Sequence, residues 1–161
     1  GIKQHLDDDH WFHSTQGFLE ISTDMSILFR QIFTHDETAR VGFLGHIVTE
    51  LLLDRVLIEQ NPGLIDEYYA AFSEIDPLQT EIATNKMTTK ETDKLKLWLT
   101  QFSKEAFLRD YLDSQRMLVR LNQVMNRVKL QPLPVETISV LNTGRKIVEK
   151  RLNDLLPPEH F

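Results

Sequence analysis

The sequence predicts an all-α protein, a compact bundle of about seven to eight helices. Three observations carry that prediction. Apolar residues recur at helical spacing through most of the chain, and no stretch alternates polar and apolar over the length of a strand. The strong breakers, Asn61-Pro62-Gly63, Gln131-Pro132-Leu133-Pro134 and Pro157-Pro158, fall between the periodic segments and not inside them. No repeat or low-complexity tract interrupts the pattern.

Residues 2–13 read as a first helix. Ser22 or Thr23 can cap a second that runs through Phe33, with Ile21, Met25, Leu28, Phe29 and Ile32 on one apolar face. A polar link, Thr34 to Thr38, leads into a long helix from Ala39 to Gln60, stopped by the Asn61-Pro62-Gly63 breaker. This helix is apolar almost all the way round, which marks it as central. Gly63 to Ile75 follows, with Leu64, Tyr68, Ala71, Phe72 and Ile75 expected inward; Asp76-Pro77 starts a short helix through about Thr84. Thr88 or Thr89 is the expected cap of a helix to Phe102, with Leu95, Leu97, Trp98, Leu99 and Phe102 inward. Phe107 to Leu112 forms a short connection. Ser114 caps a helix to Leu130 whose inner residues are Met117, Leu118, Leu121, Val124, Met125 and Val128, and a last helix spans Val135 to Leu155.

With 161 residues, 41% hydrophobic and 26% charged, the chain (1–161) is expected to form one helical domain with a substantial core. It contains no cysteine, which excludes disulfide frameworks and thiolate metal sites. Any metal must be held by His, Asp and Glu, chemistry that suits Mn²⁺, Fe²⁺, Mg²⁺ or a His/carboxylate zinc site. A net charge of −6 argues against a nucleic-acid partner. The charge is uneven, because ten basic residues face five acidic ones between Lys104 and Arg151. No apolar run reaches the roughly 18 residues that a membrane span needs and no signal peptide is visible, so no membrane partner is expected and the expected location is cytoplasmic. The chain opens Gly-Ile-Lys without an initiator Met, and the expectation is that upstream residues are missing or replaced.

The candidate chemistry lies on two helices. His46, Glu50 and Asp54 recur at i, i+4 and i+8 on the central helix and span an arc of roughly 80°. Phe43, Ile47, Leu53 and Leu57 fall inside or beside that arc. Burying three ionisable groups among them costs several kcal/mol or more unless they are paired or bind a metal. His5, Asp9 and His13 repeat the spacing on the first helix, with Ile2, Leu6 and Phe12 near the same face. Two such helices facing each other can enclose one or two divalent ions, the arrangement of helical carboxylate metal proteins. A single His–carboxylate couple four residues apart is, by contrast, an ordinary surface pair. His10, His35 and His160 are read as surface residues.

Arg116, Arg120, Gln123 and Arg127 fall within about 60° on the helix from Ser114. That is either a solvated helix face or a contact for phosphate, whose oxygens a guanidinium engages bidentately. There is no Gly-rich phosphate loop, nucleophile elbow or HExxH motif.

The opening GIKQHLDDDHWFH resembles the acyl carrier protein phosphodiesterase family, in which Gly-Ile-Arg-x-His-Arg-x-Ile-Asp-x-Phe-Thr-Asp is typical. Gly1, Ile2, His5, Asp9 and Trp11 match in place or character, and His13 stands where that family has Asp. The central helix is similar to the family's Gly-Ile-x-x-Asp-x-x-x-Asp-His-x-Leu helix, with Glu50, Asp54 and Leu57 at corresponding positions and Arg55 in place of its His. Tyr111, Met125 or Val124, and Arg127 correspond to a Trp-Leu-x-x-Tyr segment and a Met-x-x-Arg helix end. The resemblance implies a fold like that of the His-Asp (HD) metal phosphohydrolases. It also implies Mn²⁺-dependent cleavage of the phosphodiester joining phosphopantetheine to a carrier-protein serine, and a His and an Asp upstream of Gly1. His46 and His13 are additions to the family's pattern.

The functional expectation is a metal-dependent phosphoester hydrolase with His5, Asp9, His13, His46, Glu50 and Asp54 as metal ligands. Mn²⁺ is the expected ion, ahead of Fe²⁺, Mg²⁺ or Zn²⁺. Arg120 and Arg127 would contact a phosphoester substrate, one that an acyl carrier protein could present. The rival is a non-catalytic helical interaction module in which the same groups pair as ions across the helix interface.

Overall fold

The computed structural model describes residues 2–36 and 39–158, and every regular element among them is helical. Gly1 of the opening motif, the end of the polar link at Thr38, and His160 lie outside the described residues. The elements are α1 (Ile2–Ser14), α2 (Gln16–Ile32), α3 (Val41–Gln60), α4 (Leu64–Ser73), α5 (Pro77–Met87), α6 (Leu95–Glu105), a 3-10 helix (Phe107–Leu112), α7 (Ser114–Arg127), α8 (Thr137–Lys150) and the short α9 (Leu152–Leu155). No described helix is long and apolar enough to cross a membrane.

α3 is the axis of the bundle. Leu44, Val48, Leu52 and Val56, one residue per turn, are almost wholly buried, and α2 and α8 lie along them. Each such side chain contributes about 1.5–3 kcal/mol by leaving water. α2 supplies Phe18, Ile21, Met25 and Phe29; α7 supplies Met117, Leu121 and Met125; α8 supplies Val140, Leu141 and Val148. Two glycines let the helices come this close. A Cβ on Gly45 would strike the Ser22 carbonyl of α2, and one on Gly144 would sit 2.6 Å from Met25 Sδ and 2.7 Å from Leu52 Cδ1.

Several boundaries differ from the sequence-based expectation, each for a local reason. α2 begins a turn and a half before Ser22, because Thr15 Oγ1 accepts the Phe18 N–H at 3.2 Å and caps the helix. Ser26 and Thr23 instead turn their hydroxyls back to the Ser22 and Leu19 carbonyls of the same helix. α6 begins at Leu95, not after Thr88. The Asn85 side chain takes both the N–H and the C=O of Thr92, which holds the intervening segment as a turn. The C-terminal helix is broken at Arg151, which ties to Glu20 at 2.6 Å and Asp154 at 2.8 Å.

α4, α5 and α6 form the least buried part. On α4 the inward face is Ile65 and Tyr69, one residue round from the expected Leu64 and Tyr68, which are exposed. Tyr69 fixes this rotation: its hydroxyl accepts the Leu108 N–H at 3.1 Å. Neither α5 nor α6 carries a fully buried residue, and Leu97 and Trp98, expected inward, are exposed.

Candidate metal centre

α1 ends at Ser14 and α2 starts from the Thr15 cap, so the chain turns sharply there. That corner brings the last turn of α1 against α3. His13 Nε2 lies 2.7 Å from Glu50 Oε1, and His46 Nε2, one turn earlier on α3, lies 3.0 Å from the same oxygen. The two imidazoles stack at 4.7 Å between centroids with 28° between their planes. Phe18, buried at the start of α2, meets both rings edge-on, at 4.8 Å from His13 and 4.9 Å from His46. The aromatic floor fixes both rings and leaves their nitrogens facing Glu50.

His13, His46 and Glu50 each offer one ligand atom, and the three atoms lie within 4.8 Å of one another. Metal–ligand bonds of about 2.0–2.2 Å put neighbouring donors roughly 3.0–3.4 Å apart, so the separations to Glu50 are within a few tenths of an ångström of what an ion requires. Two imidazoles and one carboxylate suit Zn²⁺, Mn²⁺ or Fe²⁺ better than Mg²⁺, which prefers oxygen alone. All three side chains keep some access to solvent, with His46 the most open at 47%. An ion held there would have positions left for water or substrate.

The other expected ligands take different places. Asp9 Oδ2 lies 3.4 Å from His13 Nδ1, so Asp9 orients the ring that faces Glu50 and is not a member of the converging group. His5 is exposed, about 12 Å back along α1 from His13 at 1.5 Å per residue. The expected pair of fully facing triplets is therefore corrected. α1 packs on α2, and His13 in its final turn meets α3; residues 3–10, Leu6 among them, are exposed.

Asp54 lies one turn beyond Glu50 and is likewise outside the three-atom group. Its edge is open to water, but the crowded protein around it withdraws solvation, and the Glu50 charge adds to that effect. Together they push its carboxyl up to about 6. Tyr111 of the 3-10 helix feels Asp54 in turn: burial, then that charge, raises its hydroxyl to about 12.

Arg120 and Arg127 line a cleft with Tyr111, and none of the three converging residues lines it. Arg120 is held by Asp110 at 2.6 Å and Glu105 at 3.4 Å. Arg127 makes no ion pair among the described residues. Arg55, at the position where the resembling family has His, donates to Glu59 and to Ser114 Oγ, both at 2.8 Å, and so ties α3 to α7. The sequence reading missed Trp98, Phe102 and Phe107 as walls of the cleft. The signal that could have found them is the arginine stripe of α7, which faces them.

No protein-family model, curated protein or solved structure matches this chain significantly.

Proposed function

We propose that this chain is a metal-dependent phosphoester hydrolase that holds a divalent ion, Mn²⁺ foremost and Zn²⁺ or Fe²⁺ next, on His13, His46 and Glu50. The observation that carries the reading is the convergence of two imidazoles from different helices on one glutamate oxygen. The phosphoester class rests on the resemblance of the His5–Asp9 and Glu50–Asp54 stretches to acyl carrier protein phosphodiesterases. A diester borne by a carrier protein is therefore the first substrate to try.

A bound divalent ion would supply Lewis acidity toward water and a phosphoryl oxygen. The chain's own groups do the rest. The Asp9 carboxylate, 3.4 Å from His13 Nδ1, would favour the tautomer that carries its proton there and leaves Nε2 free to hold an ion. Glu50 contributes the one negative charge of the ligand set. Asp54, one turn beyond Glu50 and outside the ligand set, is the carboxylate that would accept a proton beside a bound ion. The reading does not lean on Arg120 or Arg127.

The test is metal analysis after Mn²⁺ reconstitution, together with hydrolysis of bis(p-nitrophenyl) phosphate. The expected result is about one ion per chain, with both metal and activity lost in Glu50→Ala. Protein that stays metal-free after reconstitution defeats the proposal.

A second reading has its own observation. Glu50 Oε1 already lies within 3.0 Å of both imidazoles, so the cluster can satisfy itself as a His–Glu–His trio within a non-catalytic interaction module. Melting with Mn²⁺ and with chelator separates the two, because only a native-state metal site gains stability from the ion.

A further inference from the structure

We propose that the cleft between α6, the 3-10 helix and α7 binds a small amphipathic organic anion, an aryl body carrying one carboxylate or phosphate group. The cleft encloses about 680 Å³, within the range of small-molecule sites. Four aromatic residues, Trp98, Phe102, Phe107 and Tyr111, form one part of its wall, and the rest is mainly polar. Phe102 meets Phe107 edge-on at 5.1 Å, Phe107 meets Tyr111 at 6.1 Å, and Trp98 faces the opening 65% exposed. An exposed indole over a cleft floored by rings is a stacking surface for another flat, apolar body.

The charges define the ligand's other end. Arg120 is not available: Asp110 and Glu105 neutralise it, Gln123 Oε1 accepts from it at 3.2 Å, and its guanidinium lies 5.6 Å over the Phe107 ring. It is a fixed wall. Arg127 lines the same cleft and has no counter-ion among the described residues. Its place in the last turn of α7 favours a cation there, but that accounts for its charge and not for the aromatic cleft beside it. Arg127 is exposed at the cleft's rim, where water already solvates it, and with Glu105 committed to Arg120 it is the one basic group of the lining open to an anionic end on a ligand seated against the rings. The chain as a whole carries a net charge of −6, so any preference for an anion must come from this local arrangement and not from the long-range field.

The site is distinct from the His13–His46–Glu50 group and stands whether or not that group holds an ion, so it is tested with EDTA present. 2-Naphthoate, 2-naphthol and acetate are titrated into the full chain by calorimetry, with tryptophan fluorescence in parallel. The expected result is one saturable naphthoate site per chain, at least about tenfold tighter than naphthol, with acetate not detected. Arg127→Gln should melt as wild type and bring naphthoate down to the affinity of naphthol. Trp98→Ala should weaken both aryl ligands alike. No saturable naphthoate binding, equal affinity for naphthoate and naphthol, or an anion preference that survives Arg127→Gln each overturns the proposal.

Discussion

Helix α3 carries acidic groups at two levels, and their surroundings are opposite. Near its C-terminal end Glu59 is clasped by two arginines, Arg55 Nε at 2.8 Å from one oxygen and Arg145 Nε at 2.6 Å from the other. Burial alone would raise its pKa, but the hydrogen bonds and charges of the two guanidinium groups outweigh that and hold it below the usual glutamate value. About two and a half turns earlier, Glu50 has only two imidazoles, both on one oxygen, and Asp54 has no cation paired with it among the described residues. The first level is electrically closed; the second has surplus negative charge that is open to solvent at its edge. Glu50 and Glu59, nine residues apart, lie on opposite faces of α3, one facing the imidazoles of His13 and His46 and the other facing two guanidinium groups.

The comparison can be broken or sharpened by four measurements, from the largest effect to the smallest. Mn²⁺ at about a hundredfold excess over its dissociation constant should stabilise the protein by about 2.7 kcal/mol. Calorimetry should show this as a rise in melting temperature of several degrees that chelator reverses. The rise should vanish in Glu50→Ala and persist in Glu59→Gln; a rise that survives Glu50→Ala would misplace the centre.

Glu59→Gln should itself cost about 2 kcal/mol at pH 7 in urea unfolding, because it leaves the part-buried Arg55 guanidinium without a charge partner and Arg145 with Glu149 alone. Since Glu59 has a lowered pKa, its stabilisation is present above the ordinary value of 4.5 and is lost as pH falls through the lower folded value. The gap between variant and wild type should therefore close in acid.

Asp54 has the opposite sign. Its pKa is raised from 3.8 to about 6, so its favourable contribution is complete below 3.8 and is lost as pH rises through 6. In metal-free protein Asp54→Asn should gain about 1 kcal/mol or less at pH 7, an amount reduced by the group's solvent access, and should match wild type at pH 3.5. A loss of stability in Asp54→Asn at pH 7 would contradict the electrostatic picture. Last, Asp9→Asn should change the melting temperature in chelator by less than about a degree while weakening Mn²⁺ binding about tenfold or more, since it orients a ligand.

Periodicity was enough to reveal the helices, because a buried stripe such as Leu44, Val48, Leu52 and Val56 repeats along one face whatever it packs against. What it could not give was the direction in which α1 leaves α2. The Thr15 cap decides that, and with it whether three or six of the expected ligands can meet. His46 and Glu50 were legible as a pair because their spacing is internal to one helix. The arrival of His13 depends on a corner between two. On α6 the stripe of Leu95, Trp98, Leu99 and Phe102 was visible, but its occupant was not: half of it faces an open cleft and not a neighbouring helix. The Arg55–Glu59 spacing is an ordinary i,i+4 couple, and nothing local to it signals the third member, Arg145, which comes from α8.

α5 and α6 contribute no side chain that is wholly withdrawn from water. Segments anchored so lightly are the first to open when a protein fluctuates, and their amide protons should exchange well ahead of those in α3. The wall bearing Trp98 is thus the least firmly fastened part of the cleft. The aperture facing Arg127 can widen for a bulky guest without any disturbance to the glycine-spaced contacts that hold the remainder of the bundle together.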